Sequence, residues 1–332
     1  MRRGRTVAST LVGAALSLGV GLFGSLSGAL AADMVPVVKA PPKIGPSYPF
    51  DVHGYFDLTF ANGRVTPGGL RLYPNRGVLT QPEIGLSLDI YKNPAGFINQ
   101  VSLFGGIWSE SWSDPPPGGR NWQEVDWWAG VGIKFAQYWR LDVQHLEFMF
   151  PPGLGTMRMV TSTLGYSDAH WGFPIAFNPY VSLFYEYEGP STVALGNNGD
   201  TYRVEIGVKP TFGIEKYTGI PLTFTFPTWV MLGPSDYWNR NDGTTNFCGT
   251  TSTLPCSSGN SGVVSTGIQA KLSLAAWIPQ RLGSWYLKGG VQYYHITNDT
   301  LLGAQIVTGA AASFPDAKED VWIVNGGVGF TF

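Results

Sequence analysis

From Phe50 onward, hydrophobic residues recur at every second position, segment after segment. The pattern is clearest over 122–135, where Val125, Trp127, Ala129, Val131, Ile133 and Phe135 alternate with Glu124, Asp126, Trp128, Gly130, Gly132 and Lys134. A period of two is that of a β-strand, whose successive side chains leave opposite faces of the sheet. The alternation predicts twelve strands, at about 51–61, 82–91, 98–111, 122–135, 138–148, 157–166, 179–188, 201–212, 221–232, 263–275, 285–296 and 320–332. Strand boundaries read from sequence shift by a few residues, so counts of ten or fourteen also fit.

The connections between these strands differ by parity. Those after odd strands (62–81, 112–121, 149–156, 189–200, 233–262 and 297–319) are mostly longer than those after even strands (92–97, 136–137, 167–178, 213–220 and 276–284). Short turns at one end and long loops at the other mark an up-and-down transmembrane barrel, and an even strand number puts both termini at the short-turn end.

Composition separates this reading from a soluble sandwich. Charged residues make up 13% of the 332 residues, against about 25% in soluble domains. After residue 31 no apolar run is long enough for a membrane helix. The less apolar strand faces hold Gly, Ser, Gln and mixed charge with few Lys, unlike the solvated face of a sandwich. Trp127, Trp139, Tyr202, Trp285 and Trp322 fall on the apolar face near strand ends, where interfacial aromatics belong. An open sheet in lipid leaves its edge groups without partners, so the sheet must close. The expectation is an all-β, transmembrane, antiparallel up-and-down barrel over 50–332.

The remaining segments read differently. Residues 1–31 carry Arg2, Arg3 and Arg5, an apolar stretch from Leu11 to Phe23 and an Ala29-Leu30-Ala31 cleavage site, the features of a secretory signal peptide. Residues 32–49 are Pro-rich and extended, a periplasmic linker too short to form an energy-coupling domain. Without the three signal arginines, 18 Lys and Arg face 23 Asp and Glu, a net charge of −5. No basic patch marks a nucleic-acid partner. Cys248 and Cys256 lie in a Gly/Ser/Thr-rich segment; with an export signal, a small-loop disulfide is the natural reading.

Candidate chemistry is sparse. His53, His145, His170 and His295 lie on separate segments without metal spacing, and no nucleophile elbow or phosphate loop occurs. Neither an enzyme nor a cofactor is expected. His145 and Glu147 share the lipid-facing side of the fifth strand, where an exterior-face lipid hydrolase would hold its catalytic groups, but no Ser stands at matching spacing. The predicted lumen side carries Glu83, Asp89, Glu124, Asp126, Asp142, Glu186, Glu188 and Glu205 against Lys134, Arg140, Arg203, Lys209, Lys271 and Lys288. Two readings stay open: the charges pair and fill a narrow lumen, or they line a polar pore with weak charge preference. Tyr91, Phe104, Trp128, Phe184 and Tyr294 are the predicted lumen aromatics. The loop 233–262 either folds into the mouth or stands as a surface knob.

The last strand runs Asp320-Val-Trp-Ile-Val-Asn-Gly-Gly-Val-Gly-Phe-Thr-Phe332. It resembles the closing strand of bacterial outer-membrane β-barrels, in which a terminal aromatic with alternating apolar residues is read by the barrel-assembly machinery. That resemblance implies Phe330 and Phe332 as the assembly signal. The Pro-rich 32–49 resembles the linker after the signal in alphaproteobacterial outer-membrane proteins, and the whole chain resembles outer-membrane barrels and porins of Gram-negative bacteria. A location in the outer membrane, contact with its lipid and passive passage of small solutes follow as expectations. The alternative is a non-conducting barrel acting through its extracellular loops.

Overall fold

The computed structural model describes residues 50–72, 77–115, 121–150, 155–188, 200–234, 237–238, 259–307, 311 and 314–332. The signal peptide, the linker and both cysteines lie outside these residues. Twelve strands follow one another: β1 (Asp51–Ala61), β2 (Leu79–Lys92), β3 (Ile98–Trp112), β4 (Trp122–Phe135), β5 (Trp139–Phe150), β6 (Gly155–Tyr166), β7 (Tyr180–Glu188), β8, β9, β10 (Ser261–Ser273), β11 (Ser284–Ile296) and β12 (Asp320–Thr331). Both β8 (Thr201–Val208 and Thr211–Gly213) and β9 (Leu222–Thr225 and Thr228–Leu232) are interrupted. The breaks fall at Pro210 and Pro227, which have no N–H to give to the ladder. Side-chain parity survives them: Thr223 and Thr225 face the same way as their partners Lys271 and Gln269.

Every strand pairs antiparallel with its chain neighbour, and β12 also pairs with β1, from Tyr55↔Thr331 to Ala61↔Asn325. The sheet is therefore a closed twelve-stranded antiparallel barrel, and closure leaves no row of unpaired backbone groups. The seam extends to the last residue. Phe332 N donates to Gly54 O and Gly54 N to Phe332 O, both at 3.0 Å. A Cβ at Gly54 would overlap the Phe332 ring, so the close approach depends on glycine here.

Alternation fixes the two surfaces of the wall. Outward-facing Leu86 and Ile107 are each 53% exposed, and Ile84, Val131, Leu183, Ile206, Leu287 and Val324 join them in an apolar belt. Left in water, such a belt forgoes roughly 25 cal/mol for each Å² it fails to bury; hydrocarbon removes that cost. Tyr138 and Trp139, with Trp285 stacked on Phe330 at 4.8 Å, rim the end that holds the termini. Trp122, Tyr202 and Trp322 rim the long-loop end.

Two β-bulges move side chains off the faces expected of them. An irregularity between Arg158 and Met159 sets Glu188 opposite Arg158, on the outer wall. Glu188 therefore does not line the lumen; it holds Arg158 Nη1 at 2.6 Å outside the barrel, 55% exposed. A second irregularity, between Asp89 and Tyr91, pairs Tyr91 with outward Val101, and Tyr91 is 45% exposed on the exterior. One inserted residue inverts the parity of everything beyond it.

Candidate functional site in the barrel lumen

At the long-loop end, connecting segments fold into the mouth. After β1 the chain makes a two-rung hairpin, Arg64–Val65 with Arg71–Leu72. Its tip turns through Thr66, whose Oγ1 accepts from Leu70 N at 3.0 Å, and Leu70 is 0% exposed. After β11, the helix Asp299–Val307 buries Leu301, Leu302 and Ala304. Tyr237 and Trp238, just beyond β9, are buried as well, so the start of the 233–262 loop enters the mouth. Trp238 Nε1 donates to Gly68 O at 3.2 Å, joining two loops, and the missing side chain of Gly262 leaves room for its indole. These groups form one apolar cluster with Ala61, Leu79, Trp112, Met231, Val263, Ile296 and Val321 on the inner wall. Among the described residues, packed side chains from loops and wall thus fill this end of the lumen.

The hairpin also brings a charge. Arg64 Nη1 contacts Glu110 at 2.6 Å and also Glu124, and its guanidinium lies 4.6 Å from the centre of the Trp108 ring. Asp126 follows Glu124 on the same inward face of β4 and is 7% exposed. Across the lumen, Tyr237 Oη donates to Glu186 Oε1 at 2.7 Å, and Tyr180 Oη donates to Glu205 Oε1 at 2.6 Å. Arg203 is fully buried, with Nε 3.7 Å from Glu186 and its guanidinium 3.7 Å over the Phe184 ring. Buried carboxylates persist only when cations and donors offset the lost hydration. Here Arg64 and Tyr237 come from the loops, so the acids of the wall and the loops of the plug depend on each other.

The half of the lumen nearer the termini is lined differently. Lys134 and Arg140 face inward as Cα partners, and Arg140 Nε reaches both oxygens of Asp142 at 2.8–2.9 Å. Lys288 Nζ lies 2.9 Å from Asp57. Lys209 sits 4.4 Å over the Tyr180 ring and Lys271 3.7 Å over that of Tyr286. Lys134, Lys209 and Lys288 are half-buried and Lys271 is exposed, so this half is more accessible to water than the plug. The lumen charges are therefore unevenly placed by height: acids outnumber bases toward the long loops, whereas toward the termini the bases stand with acids that pair them. Glu110, Glu124, Asp126, Glu186 and Glu205 stand toward the long loops with Arg64 and Arg203; Lys134, Arg140, Lys209, Lys271 and Lys288 stand toward the termini with Asp57, Asp89 and Asp142.

Of the predicted lumen residues, all but Glu188 and Tyr91 face inward. Sequence reasoning missed Arg64, Trp108, Glu110 and the loop side chains of the plug. Leu70, Leu301 and Leu302, apolar residues in segments read as outward loops, were the available signal. Phe330 and Phe332 lie on the outer wall at the seam, where Phe330 packs against Phe56 at 6.0 Å. His145 and Glu147 also face outward. The His145 hydrogen-bond partner is Tyr187 Oη at 3.0 Å, and Glu147 is held by Arg158 at 2.9 Å.

No family model and no curated protein matches the chain. Among solved structures it is similar to the NanC porin, with 12% identity over 83% of this chain and 98% of that one (TM-score 0.41). It is similar to an outer membrane channel from Pseudomonas putida F1, with 8% identity over 89% and 100% (TM-score 0.43). It is also similar to the beta domain of the Bordetella autotransporter BrkA, with 12% identity over 85% and 100% (TM-score 0.40). These neighbours are outer-membrane β-barrels with differing roles, and the likeness is one of fold.

Proposed function

We propose that this chain is a bacterial outer-membrane barrel that passes small solutes passively, through a lumen that rests closed at its extracellular mouth. The long-loop end faces outward and the termini face the periplasm. The observation that carries this reading is the junction between plug and vestibule. A seal of buried loop side chains sits directly above a charged section of lumen whose lysines keep partial exposure. A barrel filled along its whole length would have no use for partly exposed lysines on its inner face. Outer-membrane lipid surrounds the apolar belt, and the barrel-assembly machinery reads the strand ending in Phe330 and Phe332. No covalent chemistry is assigned.

A second reading shares the same seal: a non-conducting barrel that acts through its loops. Single-channel recording on refolded protein separates the two. Wild type is expected to show rare, brief openings, whereas a variant with residues 63–73 replaced by a short Gly-Ser turn shows stable conductance steps. Absence of steps in both proteins, each verified as folded, sinks the channel reading and leaves the second. Swelling of proteoliposomes in sugars of graded size would then set the bore of the opened variant.

A further inference from the structure

Arg64 is not part of the barrel wall, yet the wall around it is built for a cation. Glu110 on β3 and Glu124 on β4 meet its guanidinium from two strands. The Trp108 ring supports it at 4.6 Å, within range of a cation–π contact. Trp112 Nε1 donates to Glu110 Oε1 at 3.1 Å and fixes that carboxylate in place. Asp126 adds a third carboxylate, 7% exposed, and its Oδ1 has no hydrogen-bond partner. Two acids and one aromatic face therefore contact a single positive group contributed by a loop, with Asp126 next on the same inward face. If the hairpin lifts, those acids lose their cation, and water or another cation must take its place. A solute cation that binds the same acids makes the departure of Arg64 easier.

We propose that Glu110, Glu124, Asp126 and Trp108 form a binding site for small solutes bearing a guanidinium or ammonium group, with Arg64 as its built-in occupant. The inference rests on the gated-channel reading for the route a solute takes, but the site itself is defined by its side chains. Arg64 uses a fork: Nη1 contacts Glu110 and Glu124, while Nη2 donates to Glu124 Oε1 at 3.3 Å. A planar guanidinium reproduces this two-pronged contact while lying on the indole, and an ammonium does not. The site therefore prefers guanidinium-bearing solutes, and a solute that binds there competes with the closed position of the hairpin.

The test titrates methylguanidinium and methylammonium into refolded wild-type and Arg64→Ala proteins at constant ionic strength, read by tryptophan fluorescence and calorimetry. Arg64→Ala is expected to bind methylguanidinium saturably, about tenfold or more tighter than wild type does, and more tightly than methylammonium. Adding Glu124→Gln to Arg64→Ala is expected to abolish that gain. Equal binding by wild type and Arg64→Ala, or binding that survives Glu124→Gln, overturns the proposal. If Arg64→Ala does not refold, as judged by heat-modifiable mobility, Arg64→Gln keeps a hydrogen-bonding group in the pocket and carries the same comparison. Binding is measured at equilibrium, without passage across a membrane. A protein that binds but never conducts refutes the channel reading alone, and one that conducts without binding refutes this site alone.

Discussion

The two halves of the lumen are lined by the same strands, but they hold their charges in opposite ways. Toward the long loops, Glu110, Glu124, Glu186, Arg203 and Glu205 are between 0 and 4% exposed, and loop groups close over them. Toward the termini, Lys271 is exposed and Lys134, Lys209 and Lys288 are half-buried. The difference shows that strand alternation decides only which side chains face inward. Whether an inward charge is dry or wet is decided by the connections, which fill the lumen at one end. In the dry half a charge needs a specific partner, because removing that partner leaves an uncompensated group. In the wet half water and salt do much of that work.

Substitutions in the two halves should therefore differ in cost. Leu301→Asp puts an unpaired carboxylate into the plug at a fully buried position. The expected loss is about 3 kcal/mol or more, read as an earlier unfolding transition in denaturant, together with longer channel openings as the plug is expelled. An unchanged transition and unchanged gating would contradict the dry seal. Tyr237→Phe removes the donor at 2.7 Å from Glu186 and is expected to cost about 1–3 kcal/mol; a neutral result would mean that water reaches this carboxylate.

Phe332→Ser, on the outer wall at the seam, should cost less than about 1 kcal/mol in the purified barrel. Its level in the outer membrane should nevertheless fall several-fold, and quantitative blotting that finds normal levels would remove the assembly role. The smallest effect belongs to the wet half. Lys271→Gln loses a contact with the Tyr286 ring and should change stability by about 0.5 kcal/mol or less. A loss as large as that of Leu301→Asp would erase the distinction between the halves.

The sequence carried the barrel itself clearly. The alternation in β4, with Val125 to Phe135 on one face and Glu124 to Lys134 on the other, survives intact, and the pairing of the last strand with the first follows from the even count. What stayed hidden was whatever breaks the period. The bulge that turns Glu188 outward inserts one residue without any composition signal. Tyr91 inverts for the same reason, because sequence marks where a strand alternates and not where its partner slips. The site was half legible. Glu124, Asp126, Glu186, Arg203 and Glu205 were identified as inward by parity alone. Arg64 and Leu301 were not, because loop residues have no period and their placement depends on long-range packing.

The uneven placement of the lumen charges has an electrical consequence. Once Arg64 leaves with the hairpin, Glu110, Glu124, Asp126, Glu186 and Glu205 on the wall keep Arg203 as the cation beside them among the described residues. Toward the termini Asp57, Asp89 and Asp142 offset the bases, so fixed negative charge is concentrated at one end of the lumen. Once the plug is displaced, mobile ions enrich within such a pore under one polarity of applied voltage and deplete under the other. The open barrel should then rectify, and its current–voltage curve, recorded at low salt where the wall charges are least screened, carries the signature of a diode rather than of a resistor.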